Sequence, residues 1–303
     1  MSMPMATIIK DDQLTAAAFY WRELEGVQVL VCEALEAAGF VNGFSTRAGG
    51  TSLMPDQSLN LAGFNEDAAE NILENRRRFL KLFPNNSADW ALAGCWQVHG
   101  SDVRLVKTHA EAKPAEDARG DMVYCDAIVS NAENVLAGVK TADCVPILLG
   151  DPTTGAFAAV HAGWRGTLAE VATKALRQMI AEYQTQPKDV WVAIGPAAGA
   201  CCYEVGSDVI DAFGGKFPEQ DIFTETRADH ACVNLTSSNR LQLIAAGVAE
   251  SQIRIAPLCT MCRTDLFFSY RREKSVHGKV GRLMSVIGRT GEGIRGSGKR
   301  GNR

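Results

Sequence analysis

Residues 136–166, LAGVKTADCVPILLGDPTTGAFAAVHAGWRG, carry the reading of this chain. Two apolar runs, 139–149 and 156–161, flank the spacer Gly150-Asp151-Pro152-Thr153-Thr154-Gly155. Such a spacer is turn chemistry, so the segment predicts a β-hairpin. A hairpin centred on the Pro152–Thr153 bond places Cys144 opposite His161. Facing side chains on an antiparallel pair have Cβ atoms roughly 4.5–5.5 Å apart. That separation suits a thiolate and an imidazole that share a metal ion or act as nucleophile and base. The plainer alternatives are a buried cysteine acting as a small hydrophobe and a hydrogen-bonded structural histidine. Pro146 marks this part of the strand as an edge or a bulge.

The rest of the composition narrows the class. With 303 residues, 46% of them hydrophobic and 22% charged, the chain can bury a sizeable core. A formal net charge of −4 gives no global attraction to nucleic acid or an anionic membrane. No run reaches the roughly 18–20 apolar residues of a membrane span. The first residues lack a basic stretch followed by an apolar core, so no secretory signal is expected. Nine scattered cysteines, an odd number, do not form a disulfide framework and fit a reducing cytoplasm. The last segment, RTGEGIRGSGKRGNR (289–303), reads as a disordered, basic, glycine-rich tail after a single domain over 1–288.

Periodicity predicts helices over 27–39, 67–83, 167–184, 205–213 and 239–246. It predicts strands over 41–47, 91–98, 103–106, 126–130, 135–140, 190–194, 253–256, 267–270 and 281–287. No repeat or low-complexity linker divides the chain, and the strands are too many and too irregular for a clean doubly wound sheet. The expected class is one mixed α/β domain.

Several residues carry candidate chemistry. His99 in QVHGSD and His161 in VHAGWRG each stand where a strand meets a turn, which suits ligation or catalysis. Asp143, beside Cys144, points to the opposite face of a regular strand and is a candidate catalytic, supporting or loop-shaping carboxylate. Arg47, before Ala48-Gly49-Gly50, and Arg165, after Gly163-Trp164, are candidate anion holders; Gly166-Thr167 opens a helix whose start favours negative charge. Cys259-Thr260-Met261-Cys262 is a lone C-x-x-C without a second such pair, and is read as structural or as a redox dithiol. The vicinal Cys201-Cys202 attracts no functional reading.

The motifs FSTRAGGTS (44–52), QVHGSD (97–102), TADCVP (141–146), VHAGWRG (160–166), IGP (194–196), YEVG (203–206) and LFFSYRR (266–272) together resemble the YfiH-like, or laccase-domain, family. They run in order over most of the chain. The resemblance implies a layered α/β/β/α sandwich with mixed sheets. It implies a metal site made by His99, Cys144 and His161, holding zinc, with copper as the alternative. Three ligands leave one tetrahedral position for water or substrate, as in a catalytic zinc site.

The implied activities are phosphorolysis of adenosine, inosine, guanosine and S-methyl-5′-thioadenosine, and adenosine deamination. Deamination would use an activated water at C6 of adenine. Phosphorolysis would use phosphate at C1′, held by Arg47 or Arg165 through guanidinium contacts. The partners are then a purine nucleoside and phosphate, with no nucleic acid, membrane or obligate protein partner. Three other readings compete: a copper polyphenol oxidase, a cysteine-dependent amidase that edits peptidoglycan precursors, and a non-enzymatic binding module. Multicopper oxidases need several copper centres, and five histidines are too few to furnish them.

Overall fold

Leu24 and Val27 face each other across Glu25-Gly26, both at positive φ (52° and 78°). That two-residue turn, with its right-handed match to twisted strands, closes the first long hairpin. In the computed structural model, residues 7–9, 11–54, 57–84, 90–114, 123–217 and 222–291 are described. Along the chain, β1 (Thr7–Ile9), α1 (Asp12–Ala16), β2 (Phe19–Leu24), β3 (Val27–Cys32), α2 (Glu33–Ala37) and β4 (Val41–Ser45) come first. Then follow α3 (Ala69–Leu80), β5 (Ala91–Ala93), β6 (Val103–Val106), β7 (Ala127–Ser130), β8 (Val135–Thr141), β9 (Val145–Gly150) and β10 (Phe157–Ala162). The last part contains α4 (Trp164–Leu168), α5 (Val171–Tyr183), β11 (Trp191–Ile194), β12 (Glu204–Gly206), α6 (Ser207–Lys216), β13 (Phe223–Arg227), β14 (His230–Val233), α7 (Leu235–Ala245), β15 (Ile253–Ile255), α8 (Tyr270–His277) and β16 (Leu283–Arg289).

Two mixed sheets stack face to face. One has the order β1-β2-β3-β4-β16-β8-β5, the other β15-β11-β9-β10-β7-β6, and a small sheet β12-β14-β13 lies apart. The period of two along each strand divides the core. Val135, Ala137 and Val139 of β8 join Leu148, Phe157 and Ala159 between the sheets. Leu136 of β8 joins Val29, Val31 and Phe79 on the outer face, under α3. On the other flank Val145, Ile147, Leu149, Ala158 and Val160 meet Val171, Ala175, Leu176 and Met179 of α5. The layers are therefore helix, sheet, sheet, helix, as the resemblance implied. No helix among the described residues is long and apolar enough to cross a membrane.

Several sequence expectations change. The apolar run 139–149 is not one strand: β8 and β9 belong to different sheets, and the chain breaks between them at Ala142-Asp143-Cys144, with Asp143 at φ 85°. The hairpin is β9–β10, with Gly150 opposite Phe157 and Pro146 opposite His161. Its centre is the Thr153–Thr154 bond, one residue beyond the predicted one. Asp151 sets that turn: its carboxylate accepts from Thr153 N–H at 2.8 Å and Thr154 Oγ1 at 2.7 Å, and Gly155 takes φ 71°. Cys144 thus lies two residues from the position opposite His161. From the break before β9 its ligand atom still comes within 4.8 Å of that of His161.

The predicted helix 27–39 is strand β3 followed by α2, since alternating Val27, Val29 and Val31 bury one face against α3 and the hairpin pairs the other edge. The predicted helix 167–184 is split at Glu170, φ 61°. At the split the Thr167 carbonyl accepts from Glu170 N–H at 3.0 Å, closing α4, and from Gln242 Nε2 at 2.8 Å. Segment 267–270 is no strand: Phe267 and Phe268 fill the inter-sheet core, and Ser269 caps α8 by accepting from Arg272 N–H. The expected tail begins inside β16, where Arg289 pairs with Val135 and forms an ion pair with Glu133 at 2.7 Å. Residues 292–303 lie outside the described residues.

Candidate metal centre

His161 occupies the end of β10, on the inter-sheet face, and is buried. Cys144 enters from the β8–β9 crossover, and His99 from the loop between β5 and β6. Their ligand atoms all lie within 4.8 Å of one another. The two imidazoles meet edge to face, with centroids 4.9 Å apart and planes at 76°.

Asp126, immediately before β7, organises the group. Its backbone carbonyl accepts from His161 N–H at 2.8 Å, and its Oδ1 lies 2.7 Å from His161 Nδ1. That contact leaves Nε2 to face Cys144 and His99, the arrangement in which a carboxylate orients a ligating histidine. The same carboxylate accepts from the N–H groups of Val98, His99 and Gly100 at 3.3, 3.0 and 2.6 Å. These bonds hold His99 in the left-handed region at φ 59°, a conformation that costs a non-glycine residue energy unless its surroundings impose it. Gln97 adds a second clamp: it donates to the Lys140 carbonyl at 2.6 Å and accepts from Lys140 N–H at 2.7 Å.

Electrostatics favour a ligating thiolate. Burial alone would raise the Cys144 thiol, but the His161 charge and hydrogen bonds from His161 and His99 pull it down to about 6. Burial alone would depress His161, yet the Cys144 thiolate and the Asp126 hydrogen bond carry it up to about 9. Asp126 would also be raised by burial, but His161 and the amides of Gly100 and Val98 hold it below the usual carboxylate range. Gly163 completes the packing: a Cβ there would lie 2.9 Å from His99 Cδ2 and 3.2 Å from Cys144 Sγ. The residues fit a metal ion. Two imidazoles and one depressed thiol converge, and one imidazole is held by a carboxylate.

The other sequence candidates fall elsewhere. The Asp143 carboxylate is occupied: it accepts from Thr260 Oγ1 at 2.7 Å, Ser269 Oγ at 3.0 Å and Arg271 N–H at 2.7 Å. It shapes the loops around the site and does not aim at the three ligands. Arg47 is buried and structural: Nη1 donates to Thr264 and Phe267 carbonyls and to Glu273 Oε1 at 2.9 Å, and the guanidinium stacks on Phe268 at 4.5 Å. It borders a cavity of about 680 Å³ that none of the three ligating residues lines. Arg165 is exposed at the start of α4, its guanidinium 4.0 Å over the Trp164 ring.

Sequence reasoning missed Asp126, although an acidic residue directly before the buried run 127–130 is a signal that can be read. It also assigned no role to Trp164, Tyr203 and Arg271, which line a second cavity, of about 400 Å³. The Arg271 guanidinium lies 5.1 Å over the Tyr203 ring. Burial and the nearby Cys144 charge lift the Tyr203 hydroxyl above its usual range.

Residues 41–290 match the family model for multi-copper polyphenol oxidoreductase laccase. The chain belongs to this laccase-domain family. The purine nucleoside phosphorylase YlmD of Geobacillus stearothermophilus is 36% identical over 269 residues, 87% of this chain and 95% of the relative. The crystal structure of that YlmD superposes with a TM-score of 0.79 at 35% identity, covering 88% of this chain and 97% of the other. Bacillus licheniformis YfiH gives 0.79 at 29% identity, over 89% and 99%. These laccase-domain structures extend the resemblance from motifs to the whole layered fold.

Proposed function

We propose that this chain is a zinc-dependent purine nucleoside phosphorylase. Its substrates would be adenosine, inosine, guanosine and S-methyl-5′-thioadenosine, and the same site would deaminate adenosine. One observation carries the reading: Gly163, packed against His99 and Cys144 of the ligand set His99, Cys144 and His161, is followed by Trp164, which lines a cavity with Tyr203 and Arg271. Relatives that carry the name purine nucleoside phosphorylase over nearly the whole chain support it.

Trp164 and Tyr203 in the cavity offer faces for a purine, and Arg271 of its lining, with Arg165 exposed beside Trp164, offers guanidinium groups for phosphate. Phosphorolysis needs a phosphate oxygen aligned on C1′ while the C1′–N9 bond breaks and the purine leaves with the bonding pair. Arginines that neutralise phosphate and an aromatic wall that fixes the base supply that alignment. Asp143, by holding the Arg271 backbone at 2.7 Å, positions one of those arginines. A zinc ion held by His99, Cys144 and His161 would supply concentrated positive charge and an open coordination position beside the substrate. Copper also accepts nitrogen and sulfur ligands and is the competing occupant.

The cysteine-amidase reading keeps one specific observation in its favour. The Cys144 thiol held down to about 6 and the His161 imidazole raised to about 9 form a thiolate–imidazolium pair, the resting state of a cysteine nucleophile. A phosphate-dependent assay on adenosine with product identification separates the readings. Adenine with ribose 1-phosphate means phosphorolysis, and inosine means deamination. Neither product, with and without added zinc, would sink the proposal and favour the amidase.

A further inference from the structure

The cysteines that look unrelated in sequence meet in space. β11 and β15 run parallel side by side, with Ile194 opposite Ile255, so the loops leaving their C-terminal ends emerge together. The first loop carries Cys201 and Cys202, the second Cys259 and Cys262. A parallel bridge joins Ala197 to Cys259, and Thr260 N–H donates to the Ala197 carbonyl at 3.0 Å. Each loop then turns back on itself. Cys202 N–H donates to the Gly199 carbonyl at 2.9 Å, and Cys262 N–H to the Cys259 carbonyl at 3.2 Å.

The result is four Sγ atoms all within 4.8 Å of one another. Cys262 Sγ stands 3.3 Å from Cys202 Sγ and 3.6 Å from Cys201 Sγ. Sulfurs on a tetrahedron around zinc, at bond lengths of about 2.3 Å, are about 3.8 Å apart. We propose that Cys201, Cys202, Cys259 and Cys262 form a second, closed metal site, a tetrathiolate for zinc, distinct from the His99–Cys144–His161 triad.

A backbone donor and a cation stand beside two of the sulfurs. Gly199 N–H donates to Cys259 Sγ at 3.2 Å, and a Cβ on Gly199 would sit 3.3 Å from Cys201 Sγ, so the backbone hugs the cluster. Arg272 Nη2 lies 3.8 Å from Cys202 Sγ and supplies a cation beside the thiolates. All four cysteines are free thiols, and Cys201 and Cys262 are exposed, which opens a path for the ion. Four protein ligands complete a tetrahedron and leave no position for substrate, so the site is structural. Binding releases the thiol protons and adds its free energy to the folded state.

The fastening reaches the triad. Thr260, inside the C-x-x-C turn, donates to Asp143 Oδ1 at 2.7 Å, and Ala198 N–H donates to the Asp143 carbonyl at 2.9 Å. A tetrathiolate ion would lock both loops around the residue that precedes Cys144. Sequence spacing hides this, because a vicinal pair and a distant C-x-x-C match no ribbon pattern.

The experiment uses the full chain, purified with zinc under reducing conditions, with metal counted by mass spectrometry and zinc-edge X-ray absorption. Wild type should hold two zinc ions. The double variant Cys144→Ala, His161→Ala should retain one, with an absorption fit of four sulfur neighbours at about 2.3 Å. The double variant Cys259→Ser, Cys262→Ser should retain one with mixed nitrogen and sulfur neighbours. Should that variant fail to fold, wild type decides: alkylation mapped by peptide must show all four cysteines protected with zinc and labelled after chelation. The proposal is overturned by a triad variant that holds no zinc, or by equal labelling with and without zinc. Disulfides among the four in protein kept reduced, or iron with labile sulfide in their place, would overturn it too.

Discussion

His161 Nδ1 lies 2.7 Å from Asp126 Oδ1, and both side chains are buried. One carboxylate thereby fixes the imidazole of β10 and, through three amide N–H bonds, the strained loop that carries His99. Two of the three ligating side chains depend on a residue that touches no metal.

Asp126→Asn keeps the shape and removes the charge. Zinc affinity of the triad should fall by about 10–100-fold, the usual range for losing a carboxylate behind a ligating histidine. Competition with a chromophoric chelator measures it; unchanged affinity would refute the orienting role.

Gly163→Ala puts a methyl 2.9 Å from His99 Cδ2 and 3.2 Å from Cys144 Sγ. The fold should persist while His99 is displaced, so the triad should lose about tenfold or more in metal affinity without a matching drop in Tm. A variant that binds zinc like wild type would show that the imidazole has room to move.

In metal-free protein the pH dependence of Cys144 alkylation should follow the depressed thiol. Lowering pH through about 6 protonates the thiolate and stops the reaction; raising it leaves the thiolate in place. His161 stays protonated until about 9, so the thiolate–imidazolium pair spans roughly pH 6 to 9. His161→Ala should move the alkylation midpoint upward toward about 8.5. Zinc should protect Cys144 throughout. A wild-type midpoint already near that ordinary value would disprove the pair.

Arg47 and Arg165 should separate cleanly. Arg47 and Glu273 have side chains only 10% and 13% exposed, so Arg47→Ala strands a carboxylate and should destabilise by about 3–5 kcal/mol. Arg165→Ala, at an exposed position, should leave Tm nearly unchanged and raise KM for phosphate severalfold. Chemical denaturation and steady-state kinetics test the contrast. A phosphate KM that responds to Arg47 alone would reverse the assignment.

Much of this protein was legible in one dimension. The apolar runs of β9 and β10 around a spacer of turn residues predicted their hairpin, and helix periodicity located α3 and α5 because burial of one side is a local, periodic demand. His99, Cys144 and His161 stood out as reactive types at strand ends, although spacing alone joined only two of them. The hairpin centre is misplaced by one residue, yet Cys144 still meets His161, because the break before β9 brings its ligand atom within 4.8 Å of the imidazole's.

Other features are set by contacts between distant segments. The break at Asp143 exists because its carboxylate is claimed by Thr260, Ser269 and Arg271, more than a hundred residues away in the chain. Arg47 reads as an anion holder until Glu273 is seen beside it. The four-cysteine cluster appears only when parallel pairing of β11 and β15 brings two loops out of one sheet end. Local pattern thus specified many of the strands and helices and the chemical types at their ends, but misread 27–39 and 267–270, where packing against distant segments decides. Long-range pairing alone decided which carboxylates orient, which arginines are taken and which sulfurs meet, since those depend on distances that no sequence window contains.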